Sequence, residues 1–315
     1  MAHHFLPATP ETVAWGSFDA ARPAVLAIDS GDTVTFDTLS GEPEDMPPEG
    51  EGWEILPGHL DVHAQCPRGR GPHFLTGPVW VNGAEPGDVL EVRILACDLR
   101  ASWGWNVVEP LLGTLPEDFP ERRLLHMPID LEAKTVKTSW GKTLPLDPFF
   151  GILGVAPPAS YGRISTAEPR EHGGNMDNKE LKAGVTLYLP VWNEGALFSV
   201  GDGHGVQGDG EVCLTALETC MTGSFEFHLR KDLSLGLPRA EHADWLMTMA
   251  FDPDLDDAAK TALRLMIDWL EADHAMHRGD AYTLCSLAAD MRVTQLVDGN
   301  KGIHGILPKS ALGRD

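Results

Sequence analysis

The chain has 315 residues, 43% of them hydrophobic, enough apolar material for a core and for one large domain or two modest ones. Its 47 acidic residues against 24 basic ones leave a formal net charge of -23, which repels nucleic-acid phosphates and anionic membrane surfaces, so neither is expected as a partner. No stretch has the apolar length of a membrane span, and the start lacks the basic-then-apolar layout of a secretory signal. Five scattered cysteines (Cys66, Cys97, Cys213, Cys220 and Cys285) without C-x-x-C spacing argue against a disulfide framework or a thiolate zinc site, so a reduced, cytoplasmic protein is expected.

Residues 12–155 run as short β-type segments between turn residues: TVTFDTL, TGPVWVNGAEPGDVLEVRILACDL, RLLHMPIDL and AKTVKTSW. In the second of these, Leu90, Val92, Ile94 and Ala96 alternate with Val89, Glu91, Arg93 and Leu95, which predicts a fully buried even-numbered face behind a turn at Pro86, Gly87 and Asp88. The Pro-rich stretch 146–166 reads as a packed connection and the one internal boundary. It separates a β-rich part, residues 1–155, from a second part, residues 156–315, expected to pack with it as one unit. Strands continue as GVTLYLPVW, ALFSVGD, GEVCLTALETCM and GSFEFHLRK. Helix is expected only late. Asp252 as N-cap and Pro253 at the first helical position open a helix over about 253–274, with a second over about 279–291 and a last strand in RVTQLVDG. The fold class is therefore mainly β, a sandwich or barrel, with added C-terminal α-helices.

Ligand-type side chains concentrate in GDGHGVQGDGE, residues 201–211. Asp202 and His204 are one residue apart and project to the same side of an extended segment. The glycines at 201, 203, 205, 208 and 210 permit positive-φ turns that would bring Asp209 and Glu211 back toward that pair. Carboxylate and imidazole without thiolate is the donor mix of a catalytic zinc or a similar divalent ion. A polar loop whose aspartates cap turns is the plainer account of the same residues. A second knot, EHGGNMDNKEL, offers His172, Asn175 and Asp177 around a Gly-Gly pair, and the two together point to one shared metal site. Further histidines stand in PGHLDVHAQCPRGRGPHF, where His59, Asp61 and His63 alternate on what would be an extended segment ahead of His73. Lys301 and His304 lie in a glycine-punctuated C-terminal stretch. For these groups an exposed loop or a solvated turn is the expectation. The sequence has no G-x-S-x-G elbow, no Walker A loop and no strand followed by a G-x-G-x-x-G that opens a helix.

The motifs HGGNMDNKEL, LYLPVWNEGALFSVGDGHGVQGDGEV, GPVWVNGAEPGDVLEV and SLAADMRVTQLVDGNKGIHGILPK resemble those of the acetamidase/formamidase family, over about residues 55–312. The resemblance implies a β-sandwich of jelly-roll character with late helices. It also implies hydrolysis of short aliphatic amides to carboxylate and ammonia at a site holding a divalent metal, commonly zinc. Carried onto matching positions, it implicates Asn175, Asp177, Asp202, His204, Asp209 and Glu211. Of these, Asp177, Asp202 and His204 are taken as metal ligands, with room for a second ion such as calcium. Glu211 is taken as proton shuttle, Asn175 as oxyanion donor and Asp209 as a further catalytic group. A small amide is the expected partner and a homo-oligomer, a dimer, the expected assembly. The Trp103, Trp105 and Asn106 segment departs from better-known formamidases, so hydrolysis of esters or cyclic amides, or a noncatalytic metal-binding role, stays open.

Overall fold

The structure is a computed structural model that describes residues 1–313. Two sheets meet face to face because their strands alternate apolar and polar residues, and the apolar faces leave water together. The larger has nine strands in the order 3–6, 33–37, 221–230, 89–99, 186–190, 239–241, 245–252, 301–308 and 290–295. The smaller runs 173–175, 149–154, 198–204, 74–81 and 13–15, with 26–28 also paired to 74–81. Its strands and those of the large sheet come from both sides of residue 155. A four-stranded sheet of 143–145, 135–137, 123–130 and 103–108 lies beside the sandwich.

Between the two main sheets sits an aromatic cluster. Phe36, Phe225 and Phe227 from the large sheet meet Phe198 from the small one at ring-centroid distances of 5.0–6.0 Å, mostly edge-on. All four are fully buried. The expected apolar face of strand Val89–Leu99 is there in Leu90, Val92 and Ile94, but Ala96 is only half-buried. A bulge against Ser224 and Phe225 shifts the alternation, so Cys97 turns inward instead. Glu91, on the opposite face, is also buried, bracketed by Arg93 and Arg230 at 2.8 Å each.

Several local expectations are corrected. The segment holding His59 and His63 is not extended but helical, α1 (His59–Gln65), and both imidazoles reach the Gly41 carbonyl, at 3.1 and 3.0 Å. Residues 211–220 form a loop rather than a strand, while residues 301–308, expected as a turn, are a strand between two others. The 146–166 stretch contains strand Phe149–Gly154 at the heart of the small sheet. Strands 239–241 and 245–252 had no counterpart in the reading. Helix α2 (Leu255–His274) is capped by Asp254, whose carboxylate accepts from the Asp256 and Asp257 amides. Asp252 instead receives the Asp254 amide at 2.8 Å, one step before the cap. Helix α2 buries Ala258, Ala262, Met266, Ile267, Trp269 and Leu270 against the large sheet and α3 (Arg278–Ala288). The five cysteines are free thiols, and no helix of the described residues is long and apolar enough to cross a membrane.

Truncating Phe198 removes the small-sheet ring that touches Phe36, Phe225 and Phe227 of the large sheet. Phe198→Ala is expected to cost about 3–5 kcal/mol, read as a lower urea midpoint at unchanged slope; a shift under about 1 kcal/mol contradicts the central role given to this ring.

Candidate metal centre and active site

Strand Phe198–His204 lies between strands Phe149–Gly154 and Phe74–Val81. Its last residues, Asp202 and His204, project together as their spacing predicts, and both are buried. Asp177 arrives just after the short strand Gly173–Asn175, the partner of Phe149–Gly154 on its other side. Glu211 and Glu218 come from the loop after the motif strand, tied down where Glu218 pairs with His204 and Trp105 across isolated bridges. Sheet pairing thus brings residues 177, 202, 204, 211 and 218 to one place.

Two overlapping trios result. Asp177, His204 and Glu211, and likewise Asp202, His204 and Glu218, each offer ligand atoms within 4.8 Å of one another. His204 Nε2 lies 3.1 Å from Asp202 Oδ2, 3.2 Å from Glu218 Oε1 and 3.8 Å from Asp177 Oδ1. Its Nδ1 is 2.9 Å from Gln207 Oε1, and the Gln207 amide donates to the Asp177 carbonyl at 2.7 Å. A glutamine oxygen can only accept, so this contact keeps a proton on Nδ1 and makes Nε2, whose N–H faces the carboxylates, the nitrogen that can give up its proton to take a cation. Asp177 Oδ1 and Glu211 Oε2 are buried without a hydrogen-bond partner.

The floor of the cluster is Gly151. A Cβ there would stand 2.3 Å from both Asp177 Oδ1 and Asp202 Oδ2, so only glycine leaves room for the two carboxylates. The glycines of the motif act differently from the expectation. Only Gly210 among them has positive φ; the left-handed positions are occupied by the acids themselves, Asp177, Asp202 and Glu211, at 46°, 57° and 43°. Non-glycine residues held there cost on the order of 1 kcal/mol or more each and concentrate at functional sites.

Electrostatics show how crowded the site is. Burial opposes a charge on His204, yet Glu218 and Asp202 around it prevail and hold its pKa well above the ordinary imidazole value. Burial and then Asp202 push Asp177 up; burial and then Asp177 raise Glu211 far above a usual carboxyl; burial lifts Glu218 to about 8. For Asp202 the burial penalty is outweighed by His204 and His73, and it is the one carboxyl held low. Asp298, from the loop after strand 290–295, is likewise raised by burial, Asp177 and Glu211.

The remaining sequence-stated candidates divide. Asn175 lines the cavity, but its Nδ2 donates to the Ala167 carbonyl at 3.2 Å and the atom left without a partner is Oδ1, an acceptor rather than the expected donor. Asp209 does not join the cluster; it pairs with Lys179 at 3.1 Å on a partly exposed edge. His73 does, with Nε2 3.9 Å from Asp202 and Nδ1 against Thr166, although its segment read as a plain loop. His59 and His63 hold the Gly41 turn, and His172 is wholly buried against the edge of Phe18. His304 hydrogen-bonds Thr294 at 2.7 Å inside the sheet. Glu218 and Asp298 escaped the reading because each stands alone in an ordinary stretch. Trp103 and Trp105 lie on a strand, not a loop; Trp105 lines the cavity above the cluster.

Fold and site together define a β-sandwich protein with a buried carboxylate–imidazole centre. The chain matches the model of the Acetamidase/Formamidase family over residues 61–163 and 159–310, and it belongs to that family. It is similar to an acetamidase structure from Bacillus halodurans, with 31% identity, TM-score 0.84 and coverage of 98% of this chain and 100% of that one. A predicted acetamidase/formamidase structure from Thermoanaerobacter tengcongensis is 26% identical with TM-score 0.86, over 99% and 98% of the two chains. A formamidase from Methylophilus methylotrophus is 30% identical over 216 residues, 52% of this chain and 51% of that protein. The chain matches about half the length of the curated relatives, 51% and 49% for this formamidase and an acetamidase from Mycolicibacterium smegmatis.

Two outcomes follow from the geometry. Gly151→Ala must displace Asp177 or Asp202, so zinc affinity is expected to fall at least about tenfold, which is about 1.4 kcal/mol, with the far-ultraviolet circular dichroism unchanged. Unaltered affinity would show that these carboxylates do not hold the ion. With its carboxyl at about 8, Glu218 carries a proton near neutral pH, and a cation binding beside it must expel that proton. Zinc affinity is therefore expected to increase as pH is raised toward about 8, with proton release in calorimetry; a pH-independent affinity contradicts the assignment.

Proposed function

We propose that the protein is a metal-dependent amidase that hydrolyses linear carboxamides to carboxylate and ammonia, with formamide and acetamide as minimal substrates. The observation that supports it most is the concentration of Asp177, Asp202, His204, Glu211 and Glu218 at the base of one cavity, in a chain whose family relatives are named for amide substrates. A cation fits this set: two carboxyl oxygens lie buried without partners, and acids outnumber the single imidazole. Asp177, Asp202 and His204 are the proposed ligands, and the mixed oxygen and nitrogen donors favour zinc. Both trios share one imidazole whose second nitrogen is taken by Gln207, which supports one ion position rather than a zinc with calcium beside it.

An amide resists water because its nitrogen lone pair is delocalised into the carbonyl. An ion held by Asp177, Asp202 and His204 would supply a more acidic water and polarise the carbonyl oxygen. Glu211, buried and raised by burial and Asp177, accepts in its ionised form the proton of the attacking water as the carbon–oxygen bond forms and returns it to nitrogen as the carbon–nitrogen bond breaks. The products are a carboxylic acid, which ionises, and ammonia. Asn175 Oδ1 is suited to accept an amide N–H of the substrate, fixing which side of the carbonyl faces the water. Gln207 keeps the His204 ring oriented. No role is given to Asp209. Assembly as a homodimer is part of this proposal, supported by the exposed apolar run Leu111, Leu115 and Phe119.

The test is ammonia release from formamide and acetamide before and after chelation, with metal content measured on the same sample. Activity lost on chelation and restored by zinc is expected. Glu211→Gln is expected to keep the metal and lose about 10²–10⁴ in kcat; full turnover in that variant removes Glu211 from the mechanism, and loss of metal makes it a ligand. Metal firmly bound without turnover of any amide would instead favour a binding protein.

A further inference from the structure

The cavity above the carboxyl cluster is much larger than acetamide needs. It encloses about 610 Å³, inside the range of about 300–1,000 Å³ that takes drug-sized ligands. A water molecule in the liquid occupies about 30 Å³, and acetamide on that scale only on the order of 100 Å³. A substrate so small would leave the rest of the volume to disordered water next to the reacting carbonyl, where close packing would otherwise hold the amide in one pose.

The lining has two characters. Leu39, Phe74, Trp105 and Val107 form an apolar wall whose side chains are buried. The same cavity is lined by four carboxylates, Glu42, Glu44, Asp45 and Glu109, and by two arginines, among which Glu44, Arg68 and Arg122 reach the solvent. Each guanidinium is already bracketed by two acids: Arg68 lies 2.5 Å from Glu42 and 2.9 Å from Glu44, and Arg122 lies 2.8 Å from Asp45 and 2.5 Å from Glu109. Neither arginine is left free to receive a substrate carboxylate in the forked geometry guanidinium favours. Four carboxylates share two cations, so the group keeps an excess of negative charge. Burial pushes Asp45 up to about 6 and raises Glu42 although an arginine opposes the rise in each case, while Glu44 is held low by its own backbone hydrogen bond and by Arg68.

We propose that the substrate is a primary amide whose extended apolar acyl chain ends in an ammonium group. The amide carbon sits over the carboxyl cluster, the chain lies along the Trp105 wall, and the ammonium supplies the cation missing from the group of Glu42, Glu44, Asp45 and Glu109. This rests on the amidase reading above and narrows it to a substrate class. A carboxylate at the same end of the chain would meet only acids and occupied guanidinium groups, and would be rejected.

The experiment compares four amides with the metal-loaded enzyme: acetamide, caproamide, the amide of ε-aminocaproic acid and the monoamide of adipic acid. The expected order of kcat/KM is ε-aminocaproic amide first, then caproamide, then acetamide, with each of the first two steps at least tenfold and the adipic monoamide not above acetamide. The preference of the cationic amide over caproamide should shrink in high salt and in the double variant Glu44→Gln, Glu109→Gln. Acetamide equal to or better than the long amides overturns the proposal, as does a cationic preference that neither salt nor the double variant changes. If no amide releases ammonia, the amidase reading fails, and the binding of the same four compounds to the metal-loaded protein decides this one separately. Tightest binding of the ε-aminocaproic amide upholds the assignment of the cavity, and equal or absent binding overturns it.

Discussion

The constraint on which the rest of the structure depends is the crowding of acids around His204. Asp177, Asp202, Glu211 and Glu218 are buried beside one imidazole, an arrangement that self-repulsion and desolvation both oppose. Left alone, such a cluster would open to water or protonate. What keeps it closed is the sandwich: three neighbouring strands, 149–154, 198–204 and 74–81, fix the backbone under it, and the aromatic cluster between the sheets holds those strands against the larger sheet. The energy that the hydrophobic core contributes is thereby partly used to hold polar groups in a place they would not choose, as is common at sites built for chemistry.

The same trade appears in the backbone. Asp177, Asp202 and Glu211 adopt left-handed conformations that favour glycine, while the neighbouring Gly201 and Gly203 do not. Glycine is needed in the motif strand for another reason: a Cβ on Gly203 would stand 2.5 Å from the Thr219 carbonyl, and one on Gly201 would stand 2.1 Å from that of Phe74. The strand is thus pressed between neighbours while its acids take the strain.

Much of this was legible in the sequence where a pattern is local. Period-two alternation located strand 89–99, and the spacing of Asp202 and His204 brought both side chains together even though Asp202 departs from strand geometry at φ 57°. What local pattern misses is set by tertiary pairing. Residues 301–308 carry glycines that look like turns, yet they are a central strand because 245–252 and 290–295 flank them. His59, Asp61 and His63 alternate with apolar Leu60 and Val62 as a strand would, but four residues apart the two histidines also share one helix face, and both reach the Gly41 carbonyl from it. Glu218 could not be found at all from its neighbours: its place in the site comes from a bridge to His204, fourteen residues away in sequence. Asp209 shows the opposite error, a ligand-type residue within the motif that local chain direction turns toward Lys179 instead.

Gln207 has a wider consequence. By receiving the His204 ring proton and donating to the Asp177 carbonyl, it stitches the glycine-rich segment 201–211 to the segment 171–181. The two segments are separated by residues 182–200 and share one fastening, so the ring angle of His204 is set in part by the path of the backbone at Asp177. A graft of either segment from a relative would import half of a matched pair. Recombination among members of the family should accordingly preserve the two segments from the same parent, even where everything between them is exchanged.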